Sequence, residues 1–259
     1  MTDPVASIII PTHNRDVDLS RAVNSALGQS IPEIEVIVIN DASTDQTKEV
    51  LQVLQDMDSR LKVLHLPIAL GLSGGLQRNE GLKIARGKYI CYVDDDDVMT
   101  HRSVQDRMEF MEEREELDFC WGRTFFIRNN VGHPDLDHRV TTRLVEKPGG
   151  VDVHWVRGTI IPNDLMHRAG VVGEESGVWW PYGRGEDRRL LMALVEEGFR
   201  GERVDAVVSI YGRSGAYSET SHRRARAQQA REGTLPVAGP AAARLPTGFS
   251  ERLRARSNT

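Results

Sequence analysis

Short apolar runs alternate with amphipathic segments through the first half of the chain. Four runs rich in β-branched residues, at 5–10, 34–39, 61–66 and 88–93, predict buried β-strands. Between them, apolar side chains recur at helical spacing, which predicts a helix after each of the first three strands. Strand–helix repeats with short connections favour parallel strands and right-handed crossovers. The sequence therefore predicts an α/β fold with a mostly parallel sheet flanked by helices.

The same pattern predicts where these helices begin and end. Asp16 or Asp18 is placed to cap the first helix, and Asp45 the second. Met57 is the last apolar position of the second helix, so we expect it to face the core. The third helix is expected to run through about Ala85, with Gly87 ending it.

The second half of the chain is less regular. Residues 117–127, 151–161 and 204–211 have the apolar character of strands, and a helix is expected from Glu186 through Glu197. Residues 128–150 are rich in Asn, Gly, Pro, His and Asp, which predicts a long loop that serves as a hinge or lid.

Length and charge divide the chain further. Its 259 residues suit one large domain, in which a regular part at 1–98 is followed by a less regular part at 99–222. The tail at 223–259 is basic, although the net charge of the chain is −5. An acidic body argues against nucleic acid as a partner. The tail is either a flexible, solvated end or a peripheral contact with an acidic membrane surface.

Hydropathy and cysteine content bear on location. No run approaches the roughly 18 apolar residues of a membrane span, and the polar N-terminus does not resemble a secretory leader. The two cysteines, Cys91 and Cys120, are too few for a disulfide framework and are expected to be reduced and buried. We therefore expect a cytoplasmic protein, with peripheral contact at the inner membrane face left open.

Four consecutive aspartates, Asp94–Asp97, directly follow the fourth predicted strand. Adjacent carboxylates repel one another unless a cation is close. Oxygen ligands suit Mg²⁺ and Mn²⁺, which commonly use one or two carboxylates together with substrate phosphate oxygens. Because ligands bind beyond the carboxyl ends of strands in such sheets, we expect a metal site here. A solvated acidic turn is the alternative.

Two further residues carry chemistry that fits a nucleotide. Asp41 follows the second strand, where its carboxylate could accept hydrogen bonds from a base or a ribose, or simply form a turn. Arg78 lies in the third helix, and its guanidinium could bind a diphosphate or lie on the surface. The preceding segment, Gly71–Gly75, has neither the dinucleotide fingerprint nor the P-loop spacing.

Four short segments follow one another along the chain, at Ser7–Arg15, Val36–Asp45, Arg78–Leu82 and Gly87–Asp97. Together they resemble the signature of the family-2 glycosyltransferases, which have the GT-A fold. The resemblance implies metal-assisted, inverting transfer from a nucleoside-diphosphate sugar, with UDP-, GDP- and dTDP-sugars all open as donors. It implies Mn²⁺ or Mg²⁺ as the metal, a nucleotide-sugar-binding half at 1–98 and an acceptor-binding half at 99–222 of the same domain. A small-molecule, lipid-linked or oligosaccharide acceptor remains open, as does the oligomeric state.

The resemblance also implies roles for individual residues. Those that hold the nucleotide are Pro11, Thr12, Asn14, Asp41 and Arg78. In the acidic segment, Asp96 and Asp97 correspond to the positions that bind ribose and metal. Asp95 stands where the family often has a small residue, so which carboxylates touch the metal is left open.

The acceptor side is predicted from an aromatic segment and the pair that follows it. Glu186 and Asp187 resemble the acceptor-side pair of the family, and we expect Asp187 to be the catalytic base. The alternative is that the pair only favours the helix macrodipole. Trp179, Trp180 and Tyr182 are predicted to form a platform for the acceptor or, alternatively, a hydrophobic plug.

Two other functions compete with this interpretation. The first is a non-catalytic protein that binds a nucleotide sugar, in which Asp187 is merely structural. The second is a sugar nucleotidyltransferase, which usually carries a glycine-rich loop with an arginine after its first strand. Residues 11–15 contain no glycine, which disfavours the second alternative.

Overall fold

A computed structural model describes residues 3–71, 74–128, 131–133, 141–147, 150–156, 160–173, 179 and 186–213. The strands are β1 (Ala6–Thr12), β2 (Ile34–Asn40), β3 (Leu61–His65), β4 (Tyr89–Tyr92), β5 (Val98–Met99), β6 (Phe119–Arg128), β7 (Val131–His133), β8 (Thr141–Lys147), β9 (Gly150–Val156), β10 (Leu165–Arg168) and β11 (Gly201–Arg213). The helices are α1 (Leu19–Leu27), α2 (Thr47–Met57), α3 (Gly75–Ile84), α4 (Ser103–Glu112) and α5 (Glu186–Glu196).

One large sheet holds strands from both halves of the chain. Its order is β3-β2-β1-β4-β10-β6-β11-β5, and β7 pairs with the outer part of β6. Pairing is parallel from β3 through β4 and again between β6 and β11, whereas β10 and β5 run antiparallel to their neighbours. The predicted α/β fold is confirmed, with parallel pairing among the four strands that the apolar runs indicated.

Helices cover both faces of this sheet because alternate strand residues point to opposite sides. Ile8 and Ile10 of β1 belong to one buried cluster, and Ile9 belongs to the other. The first cluster is completed by residues of α1, α2 and α4, such as Val23, Leu51 and Val104. The second is completed by α3 and α5, through residues such as Leu82 and Leu194. Consequently α3 and α5 lie on the same face of the sheet.

The strand register brings several polar segments to one edge. Thr12, the last residue of β1, lies opposite Asn40, the last residue of β2. On the other side of β1, Ile9 lies opposite Tyr92, the last residue of β4. The segments that follow β1, β2 and β4 therefore emerge together at the carboxyl edge, where the sequence predicted the site.

Some local predictions hold and others need correction. Asp18 occupies the N-cap position of α1 but makes no side-chain cap, whereas the Asp45 carboxylate accepts the Thr47 N–H at 3.0 Å. Met57 is 78% exposed, so its predicted core position was wrong. The third helix has Ala85 at its C-cap, as expected, and the Ala85 N–H closes the last turn by donating to the Gly81 carbonyl.

The predicted long loop at 128–150 was also wrong. Strand β7 pairs with β6, and β8 and β9 form a separate antiparallel sheet with Thr141 opposite Val156 and Lys147 opposite Gly150. A polar composition does not exclude strands, because a two-stranded ribbon needs apolar residues only at alternate positions. Each strand of the ribbon satisfies the backbone hydrogen bonds of the other. Cys91 and Cys120 are buried and unbridged, as expected. None of the described helices is both long enough and apolar enough to cross a bilayer.

Candidate functional site

Asp41 connects three elements through hydrogen bonds at the carboxyl edge of the sheet. It directly follows β2 and is 1% exposed. Its carboxylate accepts the Leu70 N–H at 2.7 Å, the Gly71 N–H at 3.3 Å and the Gln77 Nε2 at 2.6 Å. The loop after β3 and the start of α3 are thereby held to the end of β2. This part of the site is fixed by charge-assisted hydrogen bonds before any ligand arrives.

The turn after β1 is built against the turn after β2. The Asp41 N–H donates to the Thr12 carbonyl at 2.9 Å, and the Asn14 side-chain oxygen accepts the Thr44 N–H at 2.8 Å. Asn14 adopts a left-handed φ of 53°, as does Ala42 at 51°, so both turns are tight. The Thr12 hydroxyl is buried beside the Asp95 carboxylate without a well-aligned hydrogen-bond partner, which leaves polar capacity at this edge. Pro11 lies in β1, opposite Ile39.

Arg78 connects α3 to the acidic segment. Its side chain is 3% exposed, and its Nη2 donates to the Asp94 carboxylate at 2.5 Å. The guanidinium carbon lies 4.8 Å from the centre of the Trp179 ring, so the cation is sandwiched between a carboxylate and an aromatic face. The alternative of a surface arginine is therefore excluded.

Asp94–Asp97 form a closed turn directly after β4. The Asp97 N–H donates to the Asp94 carbonyl at 3.1 Å, which leaves Asp95 and Asp96 at the tip of the turn. Arg15 contacts this tip, with its Nε 3.4 Å from Asp95 and its Nη2 3.1 Å from Asp96. Asp97 is 1% exposed and accepts the Asn163 Nδ2 at 2.5 Å. The turn thus lies among cationic and amide donors.

The electrostatics of the turn suit a bound cation. Burial raises the pKa of Asp95 to about 7, Arg15 opposes the shift, and the charges of Asp96 and Asp94 add to it. Within the described ranges, no group of three or more His, Cys, Asp or Glu could hold a metal ion alone. Mg²⁺ and Mn²⁺ commonly use one or two carboxylates and complete their shell with water and phosphate oxygens. The residues therefore fit a cation shared with a substrate diphosphate.

Two of the acceptor-side candidates, Asp187 and Glu186, lie at the start of α5. Asp187 lies in the first turn of α5, which packs on the same face as α3 through Leu190 and Leu191. Glu186 begins that helix. Trp180 and Tyr182 lie outside the described residues.

Trp179 is built into the core. It is 1% exposed and meets the Tyr92 ring edge-on at 5.0 Å. Asn79 fixes its backbone, accepting the Trp179 N–H at 2.9 Å and donating to its carbonyl at 3.0 Å. This place fits the plug alternative and does not fit an open stacking platform, because the ring already packs against Tyr92 and Arg78. These two hydrogen bonds also hold Trp179 against α3.

Sequence reasoning assigned no role to three residues that shape the site, namely Arg15, Gln77 and Asn163. Arg15 and Gln77 adjoin recognised segments, and their positions after β1 and beside Arg78 could have drawn attention to them. Asn163 follows Pro162 in a one-turn 3₁₀ helix and has no local signal that sets it apart. Only its contacts with Asp94 and Asp97 reveal it.

The fold defines a class of protein: this is a GT-A glycosyltransferase fold. Residues 7–163 match the family Glycosyl transferase family 2. The match covers more than half of the chain, and the protein belongs to this family. The predicted resemblance is thereby confirmed.

Individual relatives and solved structures agree with this assignment. The Escherichia coli UDP-Glc:alpha-D-GlcNAc-diphosphoundecaprenol beta-1,3-glucosyltransferase WfgD is 33% identical over 153 residues, which are 58% of each chain. Two other relatives, 35% and 36% identical, match over 43% and 44% of their own length, so the chain spans less than half of them.

Two solved structures share the fold at lower sequence identity. Staphylococcus aureus TarS 1–349 in complex with UDP-GlcNAc superposes with a TM-score of 0.65 at 22% identity, over 91% of this chain and 68% of that one. The mannosyltransferase PcManGT from Pyrobaculum calidifontis, in complex with GDP-Man and Mn²⁺, gives 0.62 at 16% identity, over 99% and 74%. At these identities the likeness shows the fold alone.

Proposed function

We propose that this protein transfers a sugar from a nucleoside-diphosphate sugar to an acceptor hydroxyl, with inversion and with the help of a divalent cation. One observation carries the proposal. Consecutive residues of α3 join the two acidic positions at the carboxyl edge: Gln77 donates to Asp41 at 2.6 Å, and Arg78 donates to Asp94 at 2.5 Å. A single helix thus connects Asp41, proposed to hold the nucleoside, to the acidic turn, proposed to hold the diphosphate.

The donor is held by residues that follow the first two strands. Thr12 and Asp41 offer a buried hydroxyl and a buried carboxylate to the nucleoside, while Pro11 and Asn14 shape the turn around them. Arg78 places positive charge beside the acidic turn, close to where a diphosphate would lie. Asp96 and Asp97 would hold Mn²⁺ or Mg²⁺, and Asp96 would also bind the ribose. A metal held there would stabilise negative charge on the departing diphosphate.

Transfer then needs one proton acceptor and one displacement. Asp187 takes the proton of the acceptor hydroxyl as the acceptor oxygen bonds to the anomeric carbon. The bond between that carbon and the diphosphate oxygen breaks in the same step, so the nucleoside diphosphate leaves and the configuration inverts. The shared face of α3 and α5 supports this assignment, because it places Arg78 and Asp187 on the same side of the sheet.

The relatives favour a substrate class. WfgD is named for UDP-Glc and for an acceptor linked to diphosphoundecaprenol. The TarS structure contains UDP-GlcNAc, and the PcManGT structure contains GDP-Man and Mn²⁺. We propose a UDP-sugar donor and a lipid-linked diphosphate sugar as acceptor, reached by peripheral contact with the membrane face that carries it.

The proposal is tested by following the fate of the donor. The protein is incubated with UDP-, GDP- and dTDP-sugars, Mn²⁺ and an acceptor panel that includes lipid-linked sugars, with EDTA as the control. We expect release of the nucleoside diphosphate, dependent on metal and acceptor. Release of pyrophosphate in a separate incubation, with a sugar phosphate and a nucleoside triphosphate, would instead support a nucleotidyltransferase. Nucleotide binding without turnover across the panel would support a binding protein.

A further inference from the structure

A single buried amide joins the two ends of the acidic turn. The Asn163 Oδ1 accepts the Asp94 backbone N–H at 2.9 Å, and its Nδ2 donates to the Asp97 carboxylate at 2.5 Å. Asn163 is 0% exposed and Asp97 is 1% exposed. The orientation of the amide follows from chemistry, because a backbone N–H can only donate and a carboxylate can only accept. Asn163 therefore satisfies one group at each end of the Asp94–Asp97 turn.

No other residue of similar size offers this pair of groups. Aspartate would accept from Asp94 but would place a second negative charge against Asp97. Leucine has a similarly branched side chain with no polar atom, which would leave the buried Asp97 carboxylate without this donor. The site thus requires an acceptor and a donor on one short side chain, which is what asparagine provides.

The segment that carries Asn163 is itself held rigidly. It is a one-turn 3₁₀ helix, Pro162–Asp164, that directly precedes β10 and packs against β4, β6 and β11. The fully buried Arg107 donates through Nη1 to the Asp164 carbonyl at 3.2 Å and to the Leu165 carbonyl at 2.9 Å. The Asp164 carboxylate accepts the Ile161 N–H at 3.2 Å and the Thr124 hydroxyl. These hydrogen bonds therefore hold Asn163 in a fixed position next to the acidic turn.

The direction of Asp96 follows from this arrangement. Asp96 lies between the two residues that Asn163 holds, and its side chain is 22% exposed whereas Asp97 is buried. With both ends of the turn tied and the turn closed by its own hydrogen bond, the backbone at Asp96 has little freedom. Groups that orient metal-binding carboxylates in this way control metal affinity without touching the metal.

We propose that Asn163 is a positioning residue for the divalent cation, acting by fixing Asp97 and the backbone of the acidic turn. This inference rests on the proposed function, since it presupposes a cation bound at Asp96 and Asp97. In this role Asn163 acts through Asp97 and the turn and is not itself a ligand of the cation. Its removal is therefore expected to change the metal requirement more than the affinity for the nucleoside.

The test compares Asn163→Ala and Asn163→Ser with a control from the same network. Thr124→Val keeps the side-chain shape but removes the hydroxyl that Asp164 and Ser209 share, and it leaves both contacts of Asn163 in place. Binding of manganese chloride in the presence of UDP is measured by calorimetry. UDP binding in EDTA and the melting temperature are measured on the same samples.

We expect the Asn163 variants to need about 10- to 100-fold more Mn²⁺ for half-saturation, the range found when metal-orienting groups are removed. UDP binding in EDTA should change by less than about threefold, since the nucleoside pocket around Asp41 is untouched. Thr124→Val should lower the melting temperature without shifting the Mn²⁺ requirement.

Several results would overturn the inference. They are an unchanged Mn²⁺ requirement in the Asn163 variants, an equal shift in Thr124→Val, or failure of both Asn163 variants to fold, which would make Asn163 a residue of the fold alone. The wild-type protein separates this inference from the proposed function. If the wild type binds no Mn²⁺ with any nucleoside diphosphate, the proposed function fails first, whereas a metal-dependent wild type with indifferent Asn163 variants refutes only the role of Asn163.

Discussion

The Nη2 of Arg15 lies 3.1 Å from the Oδ2 of Asp96, so a cation of the protein itself neutralises the carboxylate proposed to bind the metal. The two residues are 81 positions apart, and their side chains are 11% and 22% exposed. A divalent cation that binds Asp96 must share or displace this guanidinium. Arg15 therefore sets part of the free-energy cost of metal binding.

Arg15→Gln should lower the Mn²⁺ concentration needed for half-saturation. The expected change is about tenfold, because a hydrogen bond to a charged group contributes on the order of 1.4 kcal/mol. Calorimetric titration of the UDP-bound protein with manganese chloride measures it. The matched control is Arg21→Gln, since the Arg21 Nη2 reaches only the backbone carbonyl of Asp96, at 2.9 Å. A weaker Mn²⁺ affinity in Arg15→Gln would show that Arg15 supports the metal site instead of competing for it.

Asp187→Asn should retain nucleotide affinity and lose transfer. The amide has nearly the shape of the carboxylate but cannot take the acceptor proton, so kcat should fall by about 10²- to 10⁴-fold. Rates are measured with saturating donor, and UDP affinity is measured separately. Glu196→Gln, an exposed position at the other end of α5, is the control for a charge change on the same helix. Activity that survives Asp187→Asn would disprove the assignment of the base.

Stability should fall as the pH falls from about 6.5 towards 4, in part because of His167. This side chain is fully buried; its Nε2 accepts the Tyr92 hydroxyl at 2.8 Å, and its Nδ1 donates to the Arg168 carbonyl at 2.8 Å. Burial lowers its pKa from 6.5 to about 4. In that window the unfolded chain binds a proton that the folded chain does not, so acid favours unfolding.

The size of this effect is on the order of 3 kcal/mol, from about 1.4 kcal/mol for each unit of pKa difference. Unfolding by urea at pH 7, 6, 5 and 4 measures the free energy for the wild type and for His167→Gln, which cannot titrate. We expect the two curves to converge as the pH falls, because the wild type alone loses the contribution of His167. Parallel curves would mean that His167 is not the group responsible.

Gly87→Ala should destabilise the protein without altering the site. A Cβ at this position would lie 2.6 Å from the Ala6 carbonyl carbon and closer still to the Ser7 nitrogen, both of which are backbone atoms that cannot swing away. We expect a loss of about 3 kcal/mol, at the upper end for overpacking. Gly170→Ala is the control: the φ of Gly170 is +83°, but a Cβ added there would meet nothing within 4 Å, so only the backbone cost of about 1 kcal/mol applies. Urea denaturation measures both, and equal losses would contradict the packing argument.

The sequence by itself predicted the part of the fold that depends on local pattern. The apolar runs that became β1, β2, β3 and β4 are recognisable because a buried strand needs nearly every position to be apolar. Once those strands are parallel neighbours, Asp41 and Asp94–Asp97 must emerge at one edge. The family was recognisable for the same reason, since its characteristic residues lie at the ends of those strands.

The tertiary structure decided the features that depend on distant partners. Trp179 became a buried partner of Arg78 instead of an open platform, and the described parts of 128–150 became strands, because packing and pairing partners outside the local sequence were available. Asn163 meets Asp97 across 66 positions of the chain. Periodicity reports which face of an element is apolar, whereas the choice of a particular side-chain partner depends on the free energy of the whole packed chain. The residues that orient the acidic turn are therefore visible only once the sheet has brought them together.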